Sequence, residues 1–175
     1  MTVGSLLLMA EAVMVISPDN LIGSKLSHQG RVRTHWILQA AAAGCIFAGF
    51  LVIVISKNIH NKKHFHSWHA IIGLVLIICM GLASSGGVFT LYSLKLKKII
   101  KPAKMKLIHN LAGIVTFLIG VIVEILGLYT HWFNRHSSPT AQVICIVFLV
   151  LAAIFTLEGA LKSAYSRFKS LYQSI

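Results

Sequence analysis

The chain has 175 residues, of which 57% are hydrophobic and 11% charged, and its mean hydropathy is +0.81. A water-soluble domain carries about 25% charged residues, so this composition excludes an ordinary soluble core and points to an integral membrane protein. The formal net charge of +12 comes from sixteen Lys and Arg against four acids; these cations lie between apolar blocks with no recognition motif, which argues for topology signals and anion attraction rather than nucleic-acid binding.

Five apolar blocks follow in order, at about residues 3–17, 36–56, 70–92, 110–130 and 141–161. A hydrocarbon core needs roughly 20 helical residues, so the last four blocks are full spans and the first is short. That first block, MTVGSLLLMAEAVMVIS, lacks the basic region and cleavage site of a secretory signal and is expected to remain as a membrane segment. Pro18, Pro102 and Pro139 all fall in connections and no solenoid repeat is visible, which predicts one all-α helical membrane domain over residues 1–175. Cys45, Cys79 and Cys145 lie in separate apolar blocks and are expected to be buried free thiols.

Charge alternates along the connections. Lys25, Arg31 and Arg33 flank the first; Lys95, Lys97, Lys98, Lys101, Lys104 and Lys106 occupy the third; Lys162, Arg167 and Lys169 follow the last block. The second and fourth carry only Lys57, Lys62, Lys63 and Arg135. The positive-inside rule places the richer side, and with it the C-terminus, in the cytosol.

Topology sorts the nine histidines by depth. His35 opens the second block (RVRTHWILQ) and His109 the fourth (KMKLIHNLAG) from the same side, so both lie about one turn below one surface. His69, in HFHSWHAIIG, opens the third from the other side, about 30 Å away across the membrane. An imidazole inside a span is costly unless hydrogen-bonded or metal-bound, and two neutral imidazoles on facing helices can hold a haem iron with no open position, which suits electron transfer. His69 and His109 are each followed at i+4 by a glycine, Gly73 and Gly113, and His35 by Gln39 and Ala40 to Ala43. A missing side chain one turn from the ligand leaves room for a flat macrocycle, although glycine and alanine also serve helix packing alone. Zinc fits less well, because the deep histidines lie at both membrane faces with no thiol or carboxylate beside them. The other histidines, at 28, 60, 64, 66, 131 and 136, belong to loops. Glu124 and Glu158 are candidates for proton handling or for hydrogen bonds inside the bundle, and Trp36 and Trp68 for interface anchors.

RVRTHWILQ, HSWHAIIG, the LASSGG that ends the third block, and KMKLIHNLAG resemble the cytochrome b561 family, in particular its short branch of transmembrane reductases. The resemblance extends over essentially the whole chain. It implies a six-helix protein with two haem b groups, one near each membrane face, carrying electrons from cytosolic ascorbate to monodehydroascorbate or ferric iron on the other side. Carried over, it makes His35 and His109 the ligands of the cytosolic haem and His69 one ligand of the other. The family's first helix and the start of its second, which supplies the partner of His69, are not found; this implies a truncated form with about five of the six helices, in which only the cytosolic haem is expected. Met1 and Met9 are poor substitutes for that partner, one terminal and the other deeper than His69. The alternative expectation is a truncated form that has lost electron transfer and serves as a structural or interaction protein of the membrane.

Ascorbate is an anion, so cations at a cytosolic mouth would concentrate and orient it. Arg31 and Arg33 before His35, and Lys104 and Lys106 before His109, are the candidates, for the substrate or for haem propionates. The resemblance points to endoplasmic reticulum or cytoplasmic vesicle membranes. The sequence is silent on the natural acceptor and on a homodimer.

Overall fold

The computed structural model describes residues 1–173, apart from the side chain of Val3. The first apolar block forms α1, in which a π-helical run Val3–Leu8 passes into an α-helix Met9–Met14. A single 3-10 turn, Gly23–Lys25, leads into α2, His28–Ile59. Then come α3, Trp68–Leu91; α4, Pro102–Leu128; the short α5, His131–His136; and α6, Pro139–Tyr172. Helices α2, α3, α4 and α6 are long and apolar enough to cross a membrane, and Gly4–Met14 is a shorter apolar helix. The result is an all-α membrane bundle in which the first block is short, as expected.

Local chemistry explains where the helices begin. Ser27, Ser67 and Ser138 accept hydrogen bonds from the N–H groups of Gly30, Ala70 and Ala141, satisfying donors that a helix start leaves open. Pro102 and Pro139 stand in the first turns of α4 and α6, where a missing N–H costs nothing. Because Ser27 lies outside the apolar block, α2 starts eight residues before Trp36; α6, at its other end, runs past its block to Tyr172. The start of α2, the start of α4 and the end of α6 project past the apolar blocks and carry seven cations, and with Lys25, Lys95, Lys97, Lys98 and Lys101 of the adjoining connections they define the basic face of the bundle.

Helix α4 is the central element, packed on α3, α6 and the start of α1. Its contact with α3 is antiparallel and in strict register. Gly73 meets Val123, Leu76 meets Gly120, His69 meets Gly127 and Gly87 meets His109: steps of four, three and eighteen residues from one contact to another along α3 are matched by equal steps back along α4. Each contact sets a large side chain against a glycine, the arrangement that lets helices approach closely where no hydrophobic effect drives them together. The other face of α4 presents Leu107, Ile114, Phe117 and Val121 to a core shared with Ala153, Leu157 and Ala164 of α6. Asn110 Nδ2 donates to the Ala160 carbonyl at 3.1 Å near one end of this seam, and Gln142 Nε2 to the Leu128 carbonyl at 3.0 Å near the other.

Helix α1 runs antiparallel to α2, with Gly4 so close to it that a Cβ there would stand 2.8 Å from the Ala42 carbonyl. Outward-facing apolar residues such as Phe47, Val52, Phe148 and Phe155 remain exposed, which suits contact with lipid tails. The three thiols are free but not buried as expected: Cys45 is exposed, and Cys79 and Cys145 are half-exposed, on outer flanks of their helices.

Candidate functional site

Helices α2 and α4 carry one deep histidine each, and each stands seven positions after the first residue of its helix, His35 after His28 and His109 after Pro102. The bundle brings them together near the basic face: the ring centroids of His35 and His109 are 6.3 Å apart and the ring planes are at 88°. His35 Nδ1 donates to the Ala12 carbonyl at 2.6 Å. Ala12 lies in the last turn of α1, where a helix leaves its carbonyls without intrahelical partners. A carbonyl only accepts, so Nδ1 carries the proton and Nε2 keeps its lone pair. His109 Nδ1 is buried with no hydrogen bond of good geometry, although the Ala83 carbonyl of α3 stands close enough to act on the ring.

Such an arrangement can be tested against a haem iron. An imidazole nitrogen binds a metal at about 2 Å and the ring centre lies roughly 1 Å behind it, so two rings on opposite sides of one iron have centroids about 6 Å apart. The observed separation meets that requirement, and the tautomer of His35 leaves the correct nitrogen free. Gly113, one turn beyond His109, faces open space, with no atom within 4 Å of a Cβ placed there. The residues present fit the group.

His69 occupies the opposite end of the α3/α4 pair. Its Nδ1 donates to the Val123 carbonyl at 3.0 Å, and its ring lies over Gly127, where a Cβ would stand 3.4 Å from Cε1. A helical side chain covers the turn before its own Cα, so glycine at 127 is what uncovers the carbonyl four residues earlier. The same construction recurs for His109, which lies over Gly87 with Ala83 four residues before it. These facing glycines escaped a reading that looked only along each histidine's own helix. LASSGG held the signal, since Gly86 and Gly87 both meet His109. Gly73, by contrast, is filled by Val123 and serves packing. Among the described residues no other histidine ring abuts His69.

The four candidate cations differ in engagement. Arg31 Nη1 donates to the carbonyls of Gly23 and Leu26, at 3.4 and 3.1 Å, and braces the α1–α2 connection. Arg33 and Lys104 are exposed, and Lys106 is half-buried. Glu124 receives the hydroxyls of Thr2, at 2.9 Å, and Ser5, fastening the start of α1 to α4. Glu158 pairs with Lys162 at 2.7 Å on an exposed face of α6.

Long apolar helices that bring two imidazoles together near one end define a class: all-α membrane bundles with a paired-histidine site. The chain belongs to the eukaryotic cytochrome b561 family, whose pattern it matches over residues 1–134. It is 38% identical over 147 residues to the transmembrane reductase CYB561D2 of Bos taurus and 35% identical to that of Homo sapiens, each match covering 84% of this chain and 66% of the relative. It is 27% identical over 163 residues to the probable transmembrane reductase CYB561D1 of Homo sapiens, covering 93% of this chain and 71% of the relative. The chain thus spans just under two thirds of the length of the CYB561D2 proteins. No solved structure matches it.

Proposed function

We propose that the chain is the electron-carrying core of a transmembrane reductase that takes single electrons from ascorbate at the basic, cytosolic face and delivers them to monodehydroascorbate or ferric iron on the other side. The relatives' names support an oxidoreductase of the membrane. The observation that carries the reading is the facing pair His35 and His109, 6.3 Å apart, with His35 Nε2 left unprotonated by the Ala12 carbonyl.

In this reading His35 and His109 hold a haem b, which when bound supplies a reversible one-electron couple. The Ala12 carbonyl keeps the His35 ring from turning and, by accepting from Nδ1, makes the ligating nitrogen more basic. Gly87 and Gly86 set how far the His109 ring can lean toward α3. Arg33, Lys104 and Lys106 draw the ascorbate anion to the mouth and orient it, while Arg31 holds the connection that frames it. His69 is prepared in the same way, its Nδ1 proton fixed on Val123 and its Nε2 free to ligate a haem near the other face. Endoplasmic reticulum or vesicle membranes remain the proposed location, with the C-terminus cytosolic.

A reduced-minus-oxidised spectrum of the purified protein tests this. Sharp low-spin b-type bands that form with ascorbate are expected; a colourless preparation refutes it. The second reading, a structural or interaction protein without electron transfer, rests on the absence of a ring facing His69 among the described residues, and a preparation that binds haem but is not reduced by ascorbate would favour it.

A further inference from the structure

At the basic end of the α4/α6 seam lies a cleft of about 370 Å³, lined by Ala103 of α4 and by Ser163, Ser166, Arg167 and Ser170 of α6. It is separate from the paired histidines. Ala103 belongs to the stripe of α4 that continues through Leu107, Asn110 and Ile114 toward α6, whereas His109 points to α3 and α2. We propose that this cleft binds a phosphomonoester group.

Four observations converge on that chemistry. The three serines and Arg167 recur at steps of three, four and seven along α6, so their hydroxyls and guanidinium line one side of the cleft together. Arg167 Nε donates to Ser163 Oγ at 3.3 Å, which ties the guanidinium to α6 and leaves its terminal nitrogens without a partner among the described residues. No carboxylate among the described residues neutralises it: none of the four acidic side chains lines the cleft, and Glu158, an acid of the same helix, is already paired with Lys162. Finally, Lys101 and Lys104 flank Ala103 in sequence and both are exposed, so the surrounding charge is uniformly positive. A forked guanidinium with several hydroxyl donors suits a tetrahedral oxyanion better than it suits a planar carboxylate, because the donors approach from more than one direction. The cleft stands beyond the apolar part of both helices, at the depth where headgroups of a cytosolic leaflet lie. A phosphoinositide headgroup and free phosphate share the required chemistry.

The test uses the full chain in neutral detergent, with binding of dioctanoyl phosphatidylinositol 4,5-bisphosphate followed by thermophoresis. Saturable binding is expected, weakened roughly tenfold by Arg167→Gln, less by Arg167→Lys, and also by the double change Ser166→Ala and Ser170→Ala. Lys62→Gln, in the connection after α2 at the opposite end of the bundle, should leave it unchanged. If inorganic phosphate displaces the lipid probe at similar concentration, free phosphate is the ligand; if it does not, the lipid headgroup is. Absence of saturable binding by both probes overturns the proposal. So does undiminished binding in both the arginine and the serine variants, or displacement by ascorbate at equal concentration, which would assign the cleft to the reductant. Variants are compared only where helical content and elution volume match the parent chain, and the two serine changes keep the question answerable if Arg167→Gln fails to fold.

Discussion

The imidazole of His109 lies across Gly87 of the facing helix so closely that a methyl group on that glycine would stand 3.2 Å from its Cε1. The ring is thereby held in place by the absence of a side chain on α3. Gly87→Ala asks for a shift of a few tenths of an ångström, and Gly87→Val for more. Haem affinity is expected to fall roughly tenfold in the valine variant, with altered b-type bands already in the alanine variant. Unchanged bands in Gly87→Val would show that the ring position is set elsewhere.

His35→Ala and His109→Ala are each expected to remove the haem at the basic face, because each takes away one of the two imidazoles that would hold it. His69→Ala should leave the haem content of this 175-residue chain nearly unchanged, since no second ring abuts it among the described residues. Pyridine haemochrome content per chain measures both. A halving of haem in His69→Ala would establish an occupied second site.

Arg33→Gln and Lys106→Gln should slow reduction by ascorbate several-fold while sparing reduction by dithionite, and the difference should shrink as salt is raised, because attraction of an anion to surface cations is screened within about 10 Å at 0.1 M. Stopped-flow traces of haem reduction at two ionic strengths decide this. Equal slowing with both reductants would assign these cations to haem retention.

Glu124 fastens α1 through Thr2 and Ser5, so its removal should loosen that helix before it affects anything else. Glu124→Ala removes the acceptor that Thr2 and Ser5 share, at a cost of about 1 kcal/mol because Thr2 is exposed and Ser5 can turn to the Met1 and Thr2 carbonyls, and should raise hydrogen exchange in residues 4–14. Glu124→Gln retains an acceptor and should lie between. If exchange in α1 stays at the parent level while the rate of haem reduction changes its pH dependence, the carboxyl handles protons instead.

The blocks 70–92 and 110–130 were legible because lipid demands unbroken apolar runs; α3 falls closely on the first, while α4 covers the second but begins at Pro102, well ahead of it. Helix ends were less legible, since Ser27 starts α2 in polar sequence and α6 runs on to Tyr172 through polar sequence that hydropathy does not recognise as helical. In the site, the depth of His35 and His109 followed from charge and spacing. The tautomers of His35 and His69 did not, for these depend on carbonyls of Ala12 and Val123 that come near only through packing between helices. Gly73 shows the limit of reading one helix at a time: its i+4 relation to His69 is real, yet Val123 fills the space.

The register of α3 against α4 also acts as a ruler. Gly87 stands eighteen residues beyond His69 on α3, about 27 Å of helix, and His109 is the same count before Gly127 on α4. One residue inserted between His69 and Gly87 would turn half of α3 by about 100° against its partner, and both histidines could not keep their glycines. The two helices can therefore lengthen or shorten only together, which ties the spacing of the two imidazole positions to the thickness of the membrane they serve.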